Sequence, residues 1–324
     1  MVMSSTDRIV RGLVAGSQAR FVAVVATRLA RDAARRHEAQ GSAAIALGRA
    51  GAAGLLLATL TKGDERVTLQ ILGDGPLGAV TVDATSGGEA RIFLRNPAAG
   101  ARVTEDAAGR PSSGPSIGRA GIVSVVRDLG MRDTFRGQTE LADGEIDTDV
   151  EKYLAMSEQI DSALACETLL DPQTGEIRCA VGVLLQALPG GEGTAVLADA
   201  RARLRAGELA AALRTLAAGP LALDPEAPPS PTLLMDQVAQ AALGERVDAL
   251  DILDTRSVRF HCPCTRDRAR TTLGLLGQED LGAMIREDGA AEVTCDFCRT
   301  TYTFTDADLE QIRRGLRPEV VEPS

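Results

Sequence analysis

The sequence predicts an α+β fold in three parts: a mixed core domain at residues 1–192, a helical connector at 193–255 and a small zinc-binding domain at 256–324. Helical and strand patterns mix in the first part without the regular βαβ repeat of a parallel sheet. After residue 190 the sequence becomes rich in Ala, Leu and Arg. Four of the six cysteines then stand in two tight pairs within the last quarter of the chain.

The first elements of the core domain are predicted to be helices, over residues 6–60. Apolar side chains recur there at helical spacing, as at Phe21, Val25 and Leu29. Further along, apolar and polar residues alternate, which predicts strands, and one more helix is expected at 148–158. The predicted strands are 67–71, 77–82, 90–94, 121–126 and 177–185.

The most apolar segment, residues 42–61, is predicted to be a buried helix rather than a membrane span. It carries Arg49 and three glycines, and it is richer in Ala than in Leu. The glycine spacing does not match a nucleotide-binding loop, so we expect these glycines to allow close helix packing. Because residues 1–8 also lack a secretory signal pattern, we expect a cytoplasmic protein without a membrane partner.

The segment after residue 192 is predicted to be a connector rather than part of a packed core. Residues 195–218 and 233–250 have helical patterns, and a proline-rich break at 224–231 separates them. The second helical stretch is shorter and more polar than the first. This arrangement indicates a partly ordered, metastable helical linker.

The two cysteine pairs, Cys262-Pro-Cys264 and Cys295-Asp-Phe-Cys298, have the spacing of a four-thiolate zinc site. Zinc prefers four ligands in tetrahedral geometry, so the four cysteines would bind one zinc ion per chain. His261 stands next to Cys262 and is an alternative ligand. In a cytosolic protein, cysteines this close favour metal or redox chemistry over a structural disulfide.

Zinc is expected to hold the C-terminal domain together. A domain of this size gains only about 3–5 kcal/mol from its own core, whereas structural zinc contributes roughly 10–16 kcal/mol of apparent binding energy. The spacing leaves two roles open: a purely structural site, or one whose thiols are oxidised so that the metal is ejected. Four arginines near the thiols would offset the negative charge of the zinc thiolates: Arg266, Arg268, Arg270 and Arg299.

Composition argues against two other functions. The net charge is −10, and residues 256–324 carry ten Arg against twelve Asp and Glu. This balance opposes a nucleic-acid-binding zinc ribbon, because phosphates are neutralised by basic residues. With only two histidines, few groups are available for acid–base catalysis. The pair Cys295 and Cys298 lacks the βαβ setting of a thioredoxin-like oxidoreductase, so we expect no enzymatic activity and no catalytic residues.

Several segments resemble the heat shock protein 33 family, the redox-regulated molecular chaperones of about 33 kDa. In the C-terminal part the resemblance is carried by Cys262-Pro-Cys264, Cys295-Asp-Phe-Cys298 and the residues around them. In the core it is carried by three further segments, at 69–78, 153–160 and 184–189. The resemblance covers essentially the whole chain, and the two cysteine spacings are highly specific when joined to these core segments.

The resemblance implies an ATP-independent holdase that is inactive when reduced and zinc-bound. Oxidants such as hypochlorite would form the disulfides Cys262–Cys264 and Cys295–Cys298 and release zinc. The redox-sensing zinc domain and the linker would then unfold, and apolar surface would become available. The activated protein, as a homodimer, would bind unfolding client proteins and protect them from oxidative and heat-induced aggregation.

Some features depart from the family pattern. A single glycine, Gly182, stands where the family usually has two, and the prolines of residues 225–231 are expected to lower the order of the linker. Cys166 and Cys179 are also outside the pattern and flank a turn at 171–175. We expect two separate buried thiols, although they could face each other across a hairpin and add disulfides under oxidation.

Overall fold

A computed structural model describes residues 7–14, 19–61, 65–100, 102–128, 134–188, 193–218 and 229–316. The chain divides into two compact units, Met1–His261 and Cys262–Ser324. Most of the proline-rich break lies outside the described residues, namely 224–228. The predicted boundaries at residues 192 and 255 stay predictions.

The helices and strands of the described residues are as follows. The strands are β1 Arg8–Val14, β2 Ala19–Val25, β3 Arg66–Gly73, β4 Ala79–Thr85, β5 Glu89–Leu94, β6 Gly121–Asp128, β7 Thr134–Glu140, β8 Ser162–Leu170, β9 Ile177–Ala187, β10 Leu250–Ser257, β11 Arg259–Phe260, β12 Ala290–Thr294 and β13 Thr301–Thr305. The α-helices are α1 Thr27–His37, α2 Gly41–Ala58, α3 Gly114–Ile117, α4 Asp147–Met156, α5 Gly193–Arg205, α6 Glu208–Ala218, α7 Pro231–Leu243, α8 Arg266–Leu273, α9 Gly277–Glu287 and α10 Asp306–Gly315. Short 3₁₀ turns span Pro97–Ala99, Gly244–Ala249 and Gly274–Leu276.

The first unit is built from two sheets with helix α2 packed between them. One sheet has the order β10-β1-β2-β9-β8, and the other has the order β11-β5-β4-β3-β6-β7. Helix α2 contacts strands of both sheets and is buried from Ser42 to Ala58. It is long and apolar enough to cross a membrane, yet 94% of it lies inside the protein. The predicted buried helix is therefore confirmed, as is the α+β class.

Glycines on α2 let the two sheets approach the helix closely. A Cβ atom on Gly51 would lie 2.7 Å from Ile92, and one on Gly54 would lie 2.6 Å from Val82. A Cβ atom on Gly48 would overlap Thr168 on β8. Both distances are shorter than carbon atoms tolerate, so these glycines serve close packing, as predicted.

The helices predicted over residues 6–60 are wrong for β1 and β2, which are strands. Phe21, Ala23 and Val25 pack into the core cluster on one face of their sheet, whereas Val22 and Val24 pack into the cluster on the other face. A strand buried on both faces shows a continuous apolar run instead of an alternating pattern. The apolar run of β2 therefore has no period that distinguishes it from the helix that follows, which begins at Thr27.

Helices α5, α6 and α7 cover the outer face of the five-stranded sheet. Their apolar residues, among them Leu197, Leu213 and Val238, form one buried cluster with Phe21 and Leu185 of the sheet. The predicted helices at 195–218 and 233–250 are thus present, with breaks after α5 and α7. In the described residues of the connector these helices pack against the sheet. The partial order and the metastability of the linker stay predictions.

The two remaining cysteines are buried on opposite faces of the five-stranded sheet. Cys166 lies opposite Gly182 in the β8–β9 ladder, and Cys179 lies opposite Leu169. Cys166 belongs to the cluster around α2, and Cys179 belongs to the cluster beneath α5–α7. The interpretation as two separate buried thiols is therefore correct, and the alternative of a facing pair is wrong for the folded protein.

The second unit has a small core around the hairpin of β12 and β13. Among residues 262–316, seven buried hydrophobic side chains form it: Ala269, Leu273, Leu281, Ala291, Phe304, Leu309 and Ile312. Helix α10 starts with a capping box, in which the Thr305 hydroxyl and the Asp308 carboxylate satisfy each other's backbone N–H groups. So few buried side chains supply little stability, which agrees with the expected need for a metal.

Candidate metal centre

The four predicted ligands come from two short turns of the second unit. Cys262 and Cys264 stand just before α8, whose first turn is capped by the Thr265 hydroxyl. Cys295 and Cys298 stand in the tight turn between β12 and β13. That turn is closed by a hydrogen bond from the Cys295 N–H to the Thr300 carbonyl, 2.9 Å long.

The structure brings the four thiols into one cluster. Their sulfur atoms all lie within 4.8 Å of one another. The Sγ atoms of Cys262 and Cys295 are 3.7 Å apart, and those of Cys264 and Cys298 are 3.2 Å apart. A tetrahedral zinc site with bonds of about 2.3 Å requires sulfur atoms roughly 3.8 Å apart. The donor set and its spacing therefore fit one zinc ion.

The alternative ligand, His261, does not belong to this cluster. Among the described residues, the group that could hold a metal consists of the four cysteines alone. The His261 Nε2 atom instead lies 4.0 Å from the Glu89 carboxylate. Four cysteines are enough for a tetrahedral site, so the geometry requires no histidine.

Two hydroxyl groups contact the cysteine sulfurs, and sequence reasoning missed both. The Tyr302 hydroxyl lies 3.3 Å from the Cys264 Sγ, and the Thr300 hydroxyl lies 3.3 Å from the Cys298 Sγ. Each cysteine pair thus has one hydroxyl on one of its thiols. The sequence could have indicated these contacts only through proximity, because Thr300 and Tyr302 follow Cys298 by two and four residues.

The thiols differ in their tendency to ionise. Burial raises the pKa of Cys264 to about 12, and contacts with the Cys298 and Cys262 thiols act in the same direction. Burial also raises the pKa of Cys298, but hydrogen bonds with Thr300 and with the neighbouring thiols outweigh it and lower this pKa to about 6. One thiolate is therefore ready at neutral pH, and binding a metal through all four sulfurs would release protons.

The arginines expected to offset the thiolate charge have varied contacts. Arg266 donates to the Thr303 carbonyl and pairs with Asp308 at 3.0 Å, and its guanidinium lies over the Phe304 ring. Arg268 donates to the carbonyl of Pro263, the residue between the first two thiols, at 3.1 Å. The other two, Arg270 and Arg299, are exposed.

Comparison with known proteins agrees with this architecture. The 33 kDa chaperonin of Bacillus subtilis is 34% identical over 307 residues, covering 95% of this chain and 98% of that protein. The 33 kDa chaperonin of Geobacillus kaustophilus is 34% identical over 313 residues, covering 97% and 99%. The crystal structure of the 33 kDa chaperonin from Thermotoga maritima matches with a TM-score of 0.72 and 26% identity, covering 96% of this chain and 98% of that one.

A family model supports the same assignment. The model of the Hsp33 protein family matches residues 7–305, which include both sheets, the helices on them and all four clustered cysteines. The fold, the near full-length relatives and this match together show that the chain belongs to the Hsp33 family.

Proposed function

We propose that this chaperone is a redox-regulated, ATP-independent holdase whose cysteine cluster is the switch. The observation that carries the proposal is the clustering of four oxidisable thiols, within 4.8 Å of one another, in a unit with a core of seven buried hydrophobic residues. The folding of such a unit depends on the metal ion or the bonds that join those thiols. A change at the sulfurs would therefore change the folding of the whole unit.

In the reduced state, Cys262, Cys264, Cys295 and Cys298 would hold one zinc ion. The ion would supply a crosslink between the turn before α8 and the β12–β13 hairpin, and no electron transfer, because Zn²⁺ has no redox chemistry. The Arg268 contact with the Pro263 carbonyl and the hydrogen bond that closes the second turn keep both thiol pairs in place.

Oxidation would convert each pair into a disulfide, Cys262–Cys264 and Cys295–Cys298. With hypochlorous acid, an S–Cl bond forms at one thiolate as the O–Cl bond breaks and hydroxide leaves. The second thiolate then displaces chloride and forms the S–S bond, so each pair gives two electrons to one oxidant molecule. The shortest sulfur contacts join different pairs, so the proposed pairing relies on the short loops that favour closure within a pair once the turns separate.

Loss of the metal would unfold the second unit and, we propose, the linker at 193–255. Helices α5–α7 cover apolar side chains of the five-stranded sheet, including Phe21, Val181 and Leu185. Their departure would expose a contiguous apolar surface, which is the kind of surface that binds unfolding proteins. We propose that the oxidised protein acts as a cytoplasmic homodimer on such clients during oxidative and heat stress, without nucleic-acid or membrane partners and without enzymatic activity.

The test measures zinc release and chaperone activity in the same sample. The reduced, zinc-loaded protein is treated with hypochlorite, and suppression of citrate synthase aggregation is followed together with the freed zinc. We expect both to appear in parallel, and peptide mapping to find the two disulfides within the pairs. A variant with Cys166→Ala and Cys179→Ala serves as the control and should respond like the natural chain. Zinc release without any gain in anti-aggregation activity would refute the proposal.

A further inference from the structure

Two hydroxyls, one on Thr300 just before β13 and one on Tyr302 within it, are placed to act on the two cysteine pairs separately. The Tyr302 hydroxyl lies 3.3 Å from the Cys264 Sγ, and the Thr300 hydroxyl lies 3.3 Å from the Cys298 Sγ. The hydroxyl of Thr301, which stands between them, contacts the Thr294 hydroxyl at 2.9 Å instead. The hydroxyls of Tyr302 and Thr300 thus contact sulfur atoms, whereas the hydroxyl of Thr301 contacts another hydroxyl and provides a matched control.

The direction of both hydrogen bonds follows from the chemistry of a metal-bound thiolate. A zinc-bound cysteine sulfur carries no proton, so it can only accept. In the zinc-bound site the Tyr302 hydroxyl would therefore donate to the Cys264 sulfur, and the Thr300 hydroxyl, which accepts from the protonated Cys298 thiol, would turn to donate to the thiolate. A hydrogen bond to an ionised sulfur is charge-assisted and stronger than one between neutral groups. It withdraws electron density from the sulfur, so the sulfur attacks electrophiles and oxidants more slowly.

We propose that Tyr302 and Thr300 are positioning residues that restrain the reactivity of one thiolate in each pair, Tyr302 at Cys264 and Thr300 at Cys298. This inference rests on the proposed function, because it deepens the account of the same thiolate centre. Each hydroxyl slows the first step of oxidation, in which the thiolate sulfur attacks the chlorine of hypochlorous acid and hydroxide leaves. The ease with which each cysteine pair is oxidised is therefore set by a residue that is neither a metal ligand nor a redox group.

The placement of Tyr302 supports a lasting contact. Its ring packs against the small core of the second unit, and Tyr302 lies opposite Val293 in the β12–β13 ladder. A ring held in this way brings its hydroxyl to Cys264 without further ordering of the side chain. Thr300 is held by the backbone bond between its carbonyl and the Cys295 N–H.

The experiment compares Tyr302→Phe, Thr300→Val and the control Thr301→Val in the full, zinc-loaded chain. N-ethylmaleimide is the probe, and mass spectrometry gives the alkylation rate of each cysteine. A chelator competition gives the zinc affinity of each chain. We expect Tyr302→Phe to raise the rate at Cys264 by about 10-fold and to leave Cys298 unchanged, with zinc affinity lower by about 10-fold or more. Thr300→Val should raise the alkylation rate at Cys298 and leave that at Cys264 unchanged. Thr301→Val should change neither rate.

Three outcomes would overturn the inference. Unchanged rates at Cys264 and Cys298 in their variants would show that the hydroxyls do not act on the sulfurs. Equal acceleration of all four cysteines would show a general loosening of the unit rather than a specific bond. Faster alkylation in Thr301→Val would also show a general loosening of the unit. If Tyr302→Phe fails to fold, the Thr300→Val result decides. If the natural chain binds zinc and is activated by hypochlorite, but the variants keep the natural alkylation rates, only this inference is refuted. If the natural chain binds no zinc, the proposed switch itself is refuted.

Discussion

The Nη2 atom of Arg49 on α2 lies 3.0 Å from the Glu167 Oε2 on β8, and both side chains are withdrawn from solvent. A second nitrogen of the same guanidinium lies 2.6 Å from the carboxylate of Glu145. Arg110 joins the network through Asp147 at 2.7 Å and through Glu167 at 3.4 Å. Helices α2 and α4, strand β8 and two connecting segments are thus held together by buried charges.

We expect Arg49→Met to lower the free energy of unfolding of the core by about 3–5 kcal/mol, because removing one partner leaves the other charges buried and uncompensated. Urea unfolding of the reduced protein, followed by circular dichroism, measures the change. Arg35→Ala is the control, since its ion pair with Glu176 is exposed and should change stability by less than about 1 kcal/mol. Equal effects of the two substitutions would contradict the structural role of the buried network.

The carboxylate of Asp7 makes stability depend on pH. Burial raises its pKa from 3.8 to about 6, although the Leu29 N–H donates to it. Because the folded pKa exceeds the unfolded one, the contribution is fully present below pH 3.8 and is lost as the pH rises through about 6, by about 3 kcal/mol in all. Asp7→Asn keeps an acceptor for the Leu29 N–H and should therefore be more stable than the natural chain at pH 7.5. Denaturation at a series of pH values should show this advantage shrinking toward pH 4, and parallel profiles would contradict it.

The thiols of Cys166 and Cys179 should not react in the folded protein. Burial raises the pKa of Cys179 to about 12 and raises that of Cys166 well above its usual value. The thiolate is the reactive form, so neither residue presents a nucleophile at neutral pH. Maleimide labelling at pH 7.5 should modify neither residue until guanidinium is added. Rapid labelling of either one in the native protein would show that the sheet opens.

Removal of the metal should unfold the second unit and spare helix α2. We expect chelation under reducing conditions to abolish the protection of amides in α8, α9 and α10 from hydrogen exchange, because the metal contributes more than the small core does. Amides of α2 should remain protected. Cys295→Ser should weaken zinc binding and destabilise the same helices, whereas Cys179→Ala should not alter zinc stoichiometry. Unchanged stoichiometry in Cys295→Ser would exclude that residue as a ligand.

Strand β3 was predictable from its alternation, because one face of its sheet is more exposed than the other. In β3, buried Val67, Leu69 and Ile71 alternate with half-buried Thr68 and Gln70, so the period of two is visible in the sequence. In β2 every residue but one is buried, and the same test fails. The error is thus physical: a strand packed on both faces carries no alternation to detect.

The candidate metal centre was predictable because its ligands come in two local pairs. The spacing of Cys295 and Cys298 is typical of zinc sites, whereas the single residue between Cys262 and Cys264 is shorter than usual. The hydroxyl of Tyr302 was not predictable in the same way, because its contact with Cys264 depends on the pairing of Tyr302 with Val293 across the hairpin. The partners of Arg49 are even more distant, since Glu145 and Glu167 lie 96 and 118 residues further along the chain.

The pairing of β1 with β10 has a consequence for synthesis on the ribosome. Arg11 and Asp254 face each other in this ladder although they are 243 residues apart. At about 5–20 residues per second, the edge of β1 waits roughly 12–50 s after translation before its partner strand exists. During that interval the nascent chain carries an open strand edge, which invites pairing with other chains. The chain must therefore pass through an aggregation-prone stage of its own before the five-stranded sheet is complete.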